Sequence, residues 1–139
     1  MSDQMSMGEE LLERYDVSLL EQRFLDLGIT LTKEQEIRFL QYYEYLVEKN
    51  QVMNLTAITE YEAVVEKHFA DSLAAAAVYD IGKAKSVIDV GTGAGFPGIP
   101  LKIVYPHLKI VLLDSLNKRV QFLNELISLL HLKDAQAVH

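Results

Sequence analysis

Residues 87–98 read VIDVGTGAGFPG, an aliphatic run with one acid, Asp89, that breaks into four glycines within eight positions: Gly91, Gly93, Gly95 and Gly98. The apolar run, Ser86 to Val90, is too short for a helix and reads as a strand. Glycines placed directly after it strip the next turn of side chains, so the backbone there either bends through left-handed conformations or is approached closely by another group. Open parallel sheets take their ligands at the carboxyl ends of strands. This stretch therefore predicts an α/β fold whose binding site lies at the tip of its first strand.

The residues that follow repeat the unit. Lys109 to Leu113 is a second short apolar run, closed by Asp114, and Gln136 to Val138 begins a third. Between them lie two helical segments, Ile99 to Tyr105 and Leu116 to His131, the second with Val120, Leu123, Ile127 and Leu130 on one face. Strand, helix, strand, helix, strand predicts a parallel sheet with right-handed crossovers. Strands this apolar imply a sheet covered on both faces. A third strand that starts at the final residues makes the α/β part C-terminally truncated on this reading, with an unpaired sheet edge through which copies are expected to self-associate.

Upstream, residues 1–8 are expected to be a disordered leader, 9–82 an N-terminal helical segment and 83–139 the incomplete α/β part. Ser18 with Glu21, Thr32 with Gln35, and Thr59 with Glu62 have the spacing of capping boxes and mark three helix starts. Gly28 and Gly82 fall where left-handed C-terminal caps belong. Ile37, Leu40, Tyr43 and Val47 trace one apolar stripe, which predicts a helix from Thr32 to about Asn50.

Composition narrows the chemistry. A chain of 139 residues, half hydrophobic and 24% charged, is a one-domain globular protein. Its start, MSDQMSMGEE, has no signal-peptide pattern, and Leu73 to Tyr79, the longest uncharged apolar stretch, is far too short to span a membrane. The expected location is cytoplasmic, with no membrane partner. There is no cysteine, which removes disulfides, thiolate metal sites and cysteine nucleophiles, and the four histidines lack metal-ligand spacing, so no metal is expected. The net charge of −7 is uneven: residues 1–80 hold 16 Asp/Glu against 6 Lys/Arg, residues 81–139 hold 4 against 7. The overall acidity argues against nucleic-acid binding, yet the glycine-rich half is basic.

Two ligand classes fit the glycines. Gly93 to Gly98, GAGFPG, satisfies a dinucleotide fingerprint three residues too late after the strand, and a pyrophosphate leaves Asp89 unexplained. An acid two residues before the first glycine suits a ligand with positive charge. Asp114 ends the next strand, 23 residues after Gly91, either to accept sugar hydroxyls or to cap the following helix.

Val87 to Gly95, two hydrophobics, Asp, a hydrophobic, then Gly-x-Gly-x-Gly, resembles the first motif of Rossmann-type S-adenosylmethionine methyltransferases. NLTAITE at 54–60, KHFADSL at 67–73, DVGTGAGFPGIPL at 89–101 and PHLKIVLLDSLNKRVQFL at 106–123 are together similar to the bacterial glucose-inhibited division protein B (RsmG) family, from about residue 18 to the end. The resemblance implies a Rossmann-like methyltransferase fold, S-adenosylmethionine as cofactor, and methylation of N7 of a guanine in 16S ribosomal RNA of the small subunit. It places the cofactor against Gly91, Phe96 and the Asp114, Ser115, Leu116 turn, and with Asp89, Gly93 and Gly95 from the strand and its glycines these are the expected cofactor contacts. Family members continue past the residue matching His139 with an Arg-Ala-Glu segment on the adenine and a later arginine of the cofactor site.

Guanine N7 has a free lone pair, so no general base is needed and no catalytic residue is assigned. Asn54 lines the substrate pocket by resemblance, or is a turn residue. Lys118 and Arg119 at a helix start oppose its dipole, which suits RNA phosphate or a solvated face. His68 reads as a packing or capping residue, with a catalytic group as the alternative, and Tyr42, Tyr43 and Tyr45 as core and rim or as base-stacking rings. The rival readings are a nucleotide (NAD)-binding oxidoreductase fragment and a non-catalytic truncated remnant.

Overall fold

The computed structural model describes residues 3–139, with side chains from residue 8 onward. Helix α1 (Asp3–Arg14) replaces most of the expected leader, of which residues 1 and 2 lie outside the described residues. In α2 (Val17–Leu25) the cap is Asp16, whose carboxylate accepts from Leu19 N at 3.3 Å, and not Ser18, whose hydroxyl turns back onto that same carboxylate. Helix α3 (Lys33–Met53) opens with the predicted Thr32–Gln35 capping box, both bonds made, at 3.1 and 2.8 Å. It closes at Asn54, in the left-handed conformation (φ 51°). Helix α4 (Tyr61–Val64) starts after Glu60 with no side-chain cap, so the predicted start at Thr59 is displaced by one residue. It runs through a π-helical turn, Val65–Ala70, into α5 (Asp71–Val78). Asp80 (φ 56°) takes the left-handed position expected of Gly82, which instead lies against the Tyr105 ring.

The α/β part follows as β1 (Ser86–Val90), α6 (Gly98–Val104), β2 (Lys109–Leu113), α7 (Asn117–Leu129) and β3 (Ala135–Val138). The three strands are parallel in the order β1-β2-β3, with Val87 opposite Ile110 and Leu112 opposite Ala137. Ile110, Leu112 and Ala137 are buried. The other face is bare among the described residues: Ile88 and Val90 are 64% and 76% exposed, which corrects the expectation of a sheet covered on both sides. Both right-handed crossovers advance in one direction along the sheet, so both helices fall on one side.

The helical arm packs onto that covered side, α3 against α6 and α7, and α5 against α6. Leu20, Phe24, Phe39, Tyr42 and Leu46 of the arm share one core with Ile99, Leu101, Ile110, Leu112 and Leu123. A ladder of rings runs Phe24, Phe39, Phe69, Tyr42, Phe96 with centroids 4.9, 5.0, 5.1 and 5.5 Å apart, from α2 to the glycine loop. Among the described residues three charged side chains are buried, Asp114 at the glycine loop, Lys102 and Glu36. Lys102 donates to the carbonyls of Pro106 and Leu108 and so anchors the turn into β2. Glu36 leaves Oε2 without a hydrogen-bond partner; burial, then the nearby charge of Glu21, raises its pKa to about 7. Among the described residues no helix is long and apolar enough to cross a membrane.

Candidate functional site at the tip of the first strand

The four glycines divide into two pairs. A Cβ on Gly98 would run into Leu112 Cδ2 and lie 2.9 Å from Asp89 Oδ2; on Gly95 it would meet Ile99 Cγ1 and Tyr42 Oη, both at 2.8 Å. These two let α6 and α3 close onto β1 and β2. Gly91 and Gly93 differ: their φ values of 70° and 59° need glycine, but a Cβ there would meet nothing within 4 Å. Their front faces open space.

The loop's amides are largely spent inside the protein. Gly91 N and Thr92 N donate to the Leu113 carbonyl at 2.9 and 3.1 Å, and Gly93 N donates to Asp114 Oδ2 at 2.9 Å. A pyrophosphate, which needs such donors, finds none of these three available, and that weighs against the dinucleotide reading. The carbonyls of Gly91 and Gly93 receive no hydrogen bond among the described residues. Carbonyl lone pairs without a donor suit a cation.

Asp89 does two jobs with two oxygens. Oδ2 accepts from Thr92 Oγ1 at 2.7 Å and Gly98 N at 3.0 Å, clamping the loop to the start of α6. Oδ1 makes no hydrogen bond among the described residues and is open to solvent. Burial raises the pKa of this carboxyl, and the two hydrogen bonds pull it back down.

Asp114 is buried to 6% exposure and turned to the loop: Oδ2 holds Gly93 N and Oδ1 accepts from Leu116 N at 2.9 Å, with Arg119 Nη1 3.8 Å away. The geometry is that of a helix-start turn, one of the two roles the spacing left open, joined to a brace on the glycine loop. Ser115 is exposed, its carbonyl 3.0 Å from His139 Nε2, and Leu116 is 50% exposed. Phe96 stacks against Tyr42 and His68.

The end of α3 and the start of α7 form a cleft of about 430 Å³, lined by Val52, Met53, Asn54, Leu116, Asn117, Lys118 and Arg119. It brings together Asn54, Leu116, Lys118 and Arg119, residues far apart in sequence that the sequence reading singled out. A larger hollow of about 660 Å³ lies elsewhere, between α1, α3 and α7, under Glu10, Glu44, Glu48 and Glu125. No group of three or more His, Asp or Glu able to hold a metal occurs among the described residues.

The family model described as rRNA small subunit methyltransferase G matches residues 35–139. The chain belongs to that family. A ribosomal RNA small subunit methyltransferase G from Lachnoclostridium phytofermentans is 54% identical over 124 residues, 89% of this chain and 51% of that protein. Its counterpart from Macrococcus caseolyticus is 53% identical over 118 residues, 85% and 50% of the two chains, and that from Staphylococcus carnosus 51% identical over 123, 88% and 51%. The chain spans about half the length of the curated relatives it matches.

Two groups at the loop were not assigned a site role from sequence. Tyr42, read as core or stacking, is fully buried and donates to the Ala94 carbonyl at 2.6 Å, bracing the loop from below. His68, read as a packing residue, stacks on Phe96 with centroids 4.4 Å apart and planes 12° from parallel. Its Nε2 lies 2.8 Å from Thr56 Oγ1, so three separate motifs meet at one ring. The signal was present in KHFADSL lying close after NLTAITE, but no local pattern tells that helix which face it turns to the loop.

Proposed function

We propose that this protein is an S-adenosylmethionine-dependent methyltransferase acting on N7 of a guanine in 16S ribosomal RNA, within the small subunit. The observation that carries the reading is the open front of Gly91 and Gly93, whose carbonyls receive no hydrogen bond among the described residues, and neither does Oδ1 of Asp89 in the same strand and loop. Such a site favours a ligand with cationic groups, and S-adenosylmethionine, which supplies a methyl carbon on a positively charged sulfur, fits it. Phe96 and Leu116 offer apolar surface on either side. Lys118 and Arg119 at the cleft supply positive charge for RNA phosphate, and Asn54 sits opposite them.

The reaction is an in-line displacement. The N7 lone pair forms the new N–C bond as the C–S bond breaks, its electron pair going to sulfur. Positive charge passes to the base and no proton moves. The residues named here bind and orient; holding the two reactants in line is worth roughly 7–11 kcal/mol of barrier.

Equilibrium dialysis of the chain against S-adenosylmethionine and NAD tests the ligand class: retention of S-adenosylmethionine is expected, and retention of NAD alone overturns the reading. Chain cleavage at N7-methylated guanines in small-subunit RNA, after incubation with labelled cofactor, tests the target. Uptake by the Macrococcus relative with none by this chain assigns it instead to a non-catalytic remnant.

A further inference from the structure

His68 is held in a way that packing alone does not require. It lies within the π-helical turn Val65–Ala70, an uncommon backbone form that concentrates at functional sites. Its ring is stacked on Phe96, the loop residue beside the open glycines. Thr56 Oγ1 accepts from Ile58 N at 3.0 Å, and its hydroxyl proton has one acceptor among the described residues, His68 Nε2. When the Thr56 hydroxyl donates to Nε2, the neutral ring carries its proton on Nδ1. Nδ1 makes no hydrogen bond among the described residues and is open to solvent. Thr56 itself is fixed through its own N–H, which donates to Asn50 Oδ1 at 2.8 Å, and it lies in the same loop as Asn54 of the cleft.

We propose that the Nδ1–H of His68 reads the oxygen at position 6 of the target purine, next to the nitrogen that is methylated. The inference rests on the purine-N7 reading above and extends it to base choice. Guanine offers an acceptor at that position and adenine an amino donor, so a fixed donor there accepts the first and repels the second. Neutrality matters as well: methyl transfer leaves the base positively charged, and an imidazolium would oppose it. Burial lowers the pKa of His68, against a smaller opposite pull from Asp71, and keeps the ring uncharged at neutral pH.

The imidazole nitrogens of the ¹⁵N-labelled chain report on this directly by NMR. In the free protein the Nδ1-protonated tautomer is expected, and Thr56→Val is expected to turn it into a mixture. GMP and IMP, both with an oxygen at position 6, shift the His68 Nδ1 resonance; AMP and 2-aminopurine riboside monophosphate, which lack it, do not. His68→Phe keeps the stack on Phe96 and is expected to cut the preference for GMP over 2-aminopurine riboside monophosphate at least tenfold, while His68→Gln, which retains an N–H, restores part of it. Equal shifts with GMP and AMP, no shift with either, or an unchanged preference in His68→Phe overturns the proposal. Wild-type protein that shifts with GMP and IMP yet methylates no ribosomal guanine defeats the preceding reading and leaves this one standing.

Discussion

The two halves of the glycine loop look alike in sequence and serve opposite ends. Gly95 and Gly98 are small because the protein itself arrives there, Tyr42 from the helical arm and Leu112 from β2. Gly91 and Gly93 are left-handed and face nothing the chain provides. A glycine repeat is therefore two constraints in one motif, one on folding and one on what occupies the cleft. The distinction is visible only when each position is asked what a Cβ would strike.

The largest break in this comparison comes from Gly98→Ala, which forces Leu112 and Asp89 apart in a packed core. A loss of about 3 kcal/mol in urea unfolding is expected, the upper range for overpacking, and a loss below about 1 kcal/mol would erase the difference between the halves. Tyr42→Phe leaves the Ala94 carbonyl buried without its donor and should lower stability by about 1–2 kcal/mol. Gly93→Ala strains a left-handed backbone without any clash and should lower stability by only about 1 kcal/mol. If the open half belongs to the cofactor, the same variant weakens S-adenosylmethionine binding at least tenfold in calorimetry.

A control away from the loop sharpens the contrast. Glu36 has its folded pKa raised to about 7 from 4.5, so the native state holds its proton more tightly than the unfolded chain does. The stabilisation is present at low pH and is lost as pH rises between these values. Glu36→Gln should flatten that slope and raise stability at pH 8 by about 1 kcal/mol, with cofactor affinity unchanged. A change in affinity would show that the loop senses global stability, and the Gly93 result would then lose its meaning.

Much of this was legible along the chain because its causes are local. The apolar runs ending in Gly91 and Asp114 marked β1 and β2 to the residue, and Thr32 with Gln35 marked α3. Where two local signals compete, the reading slipped: Asp16 and Ser18 are both able to cap α2, and the ionised carboxylate won. The π turn at 65–70 leaves no trace in helical periodicity. Strands with apolar residues on both faces do not show which face is covered, and the exposure of Ile88 and Val90 follows from crossover direction. At the site, spacing placed Asp89 and Asp114 at strand ends but could not say that each spends oxygens on the loop. The His68–Phe96 stack joins residues 28 positions apart, beyond any local pattern.

The ring ladder from Phe24 to Phe96 makes the helical arm the back wall of the strand tip. Dissection between residues 82 and 83 would yield neither an independent arm nor an independent strand unit, because the arm's four rings would lose Phe96 and Phe96 would lose Tyr42 and His68. Any breathing of the cleft mouth is likewise transmitted through that ladder, so an isotope-exchange experiment on α2 amides becomes a remote gauge of what happens at Gly91.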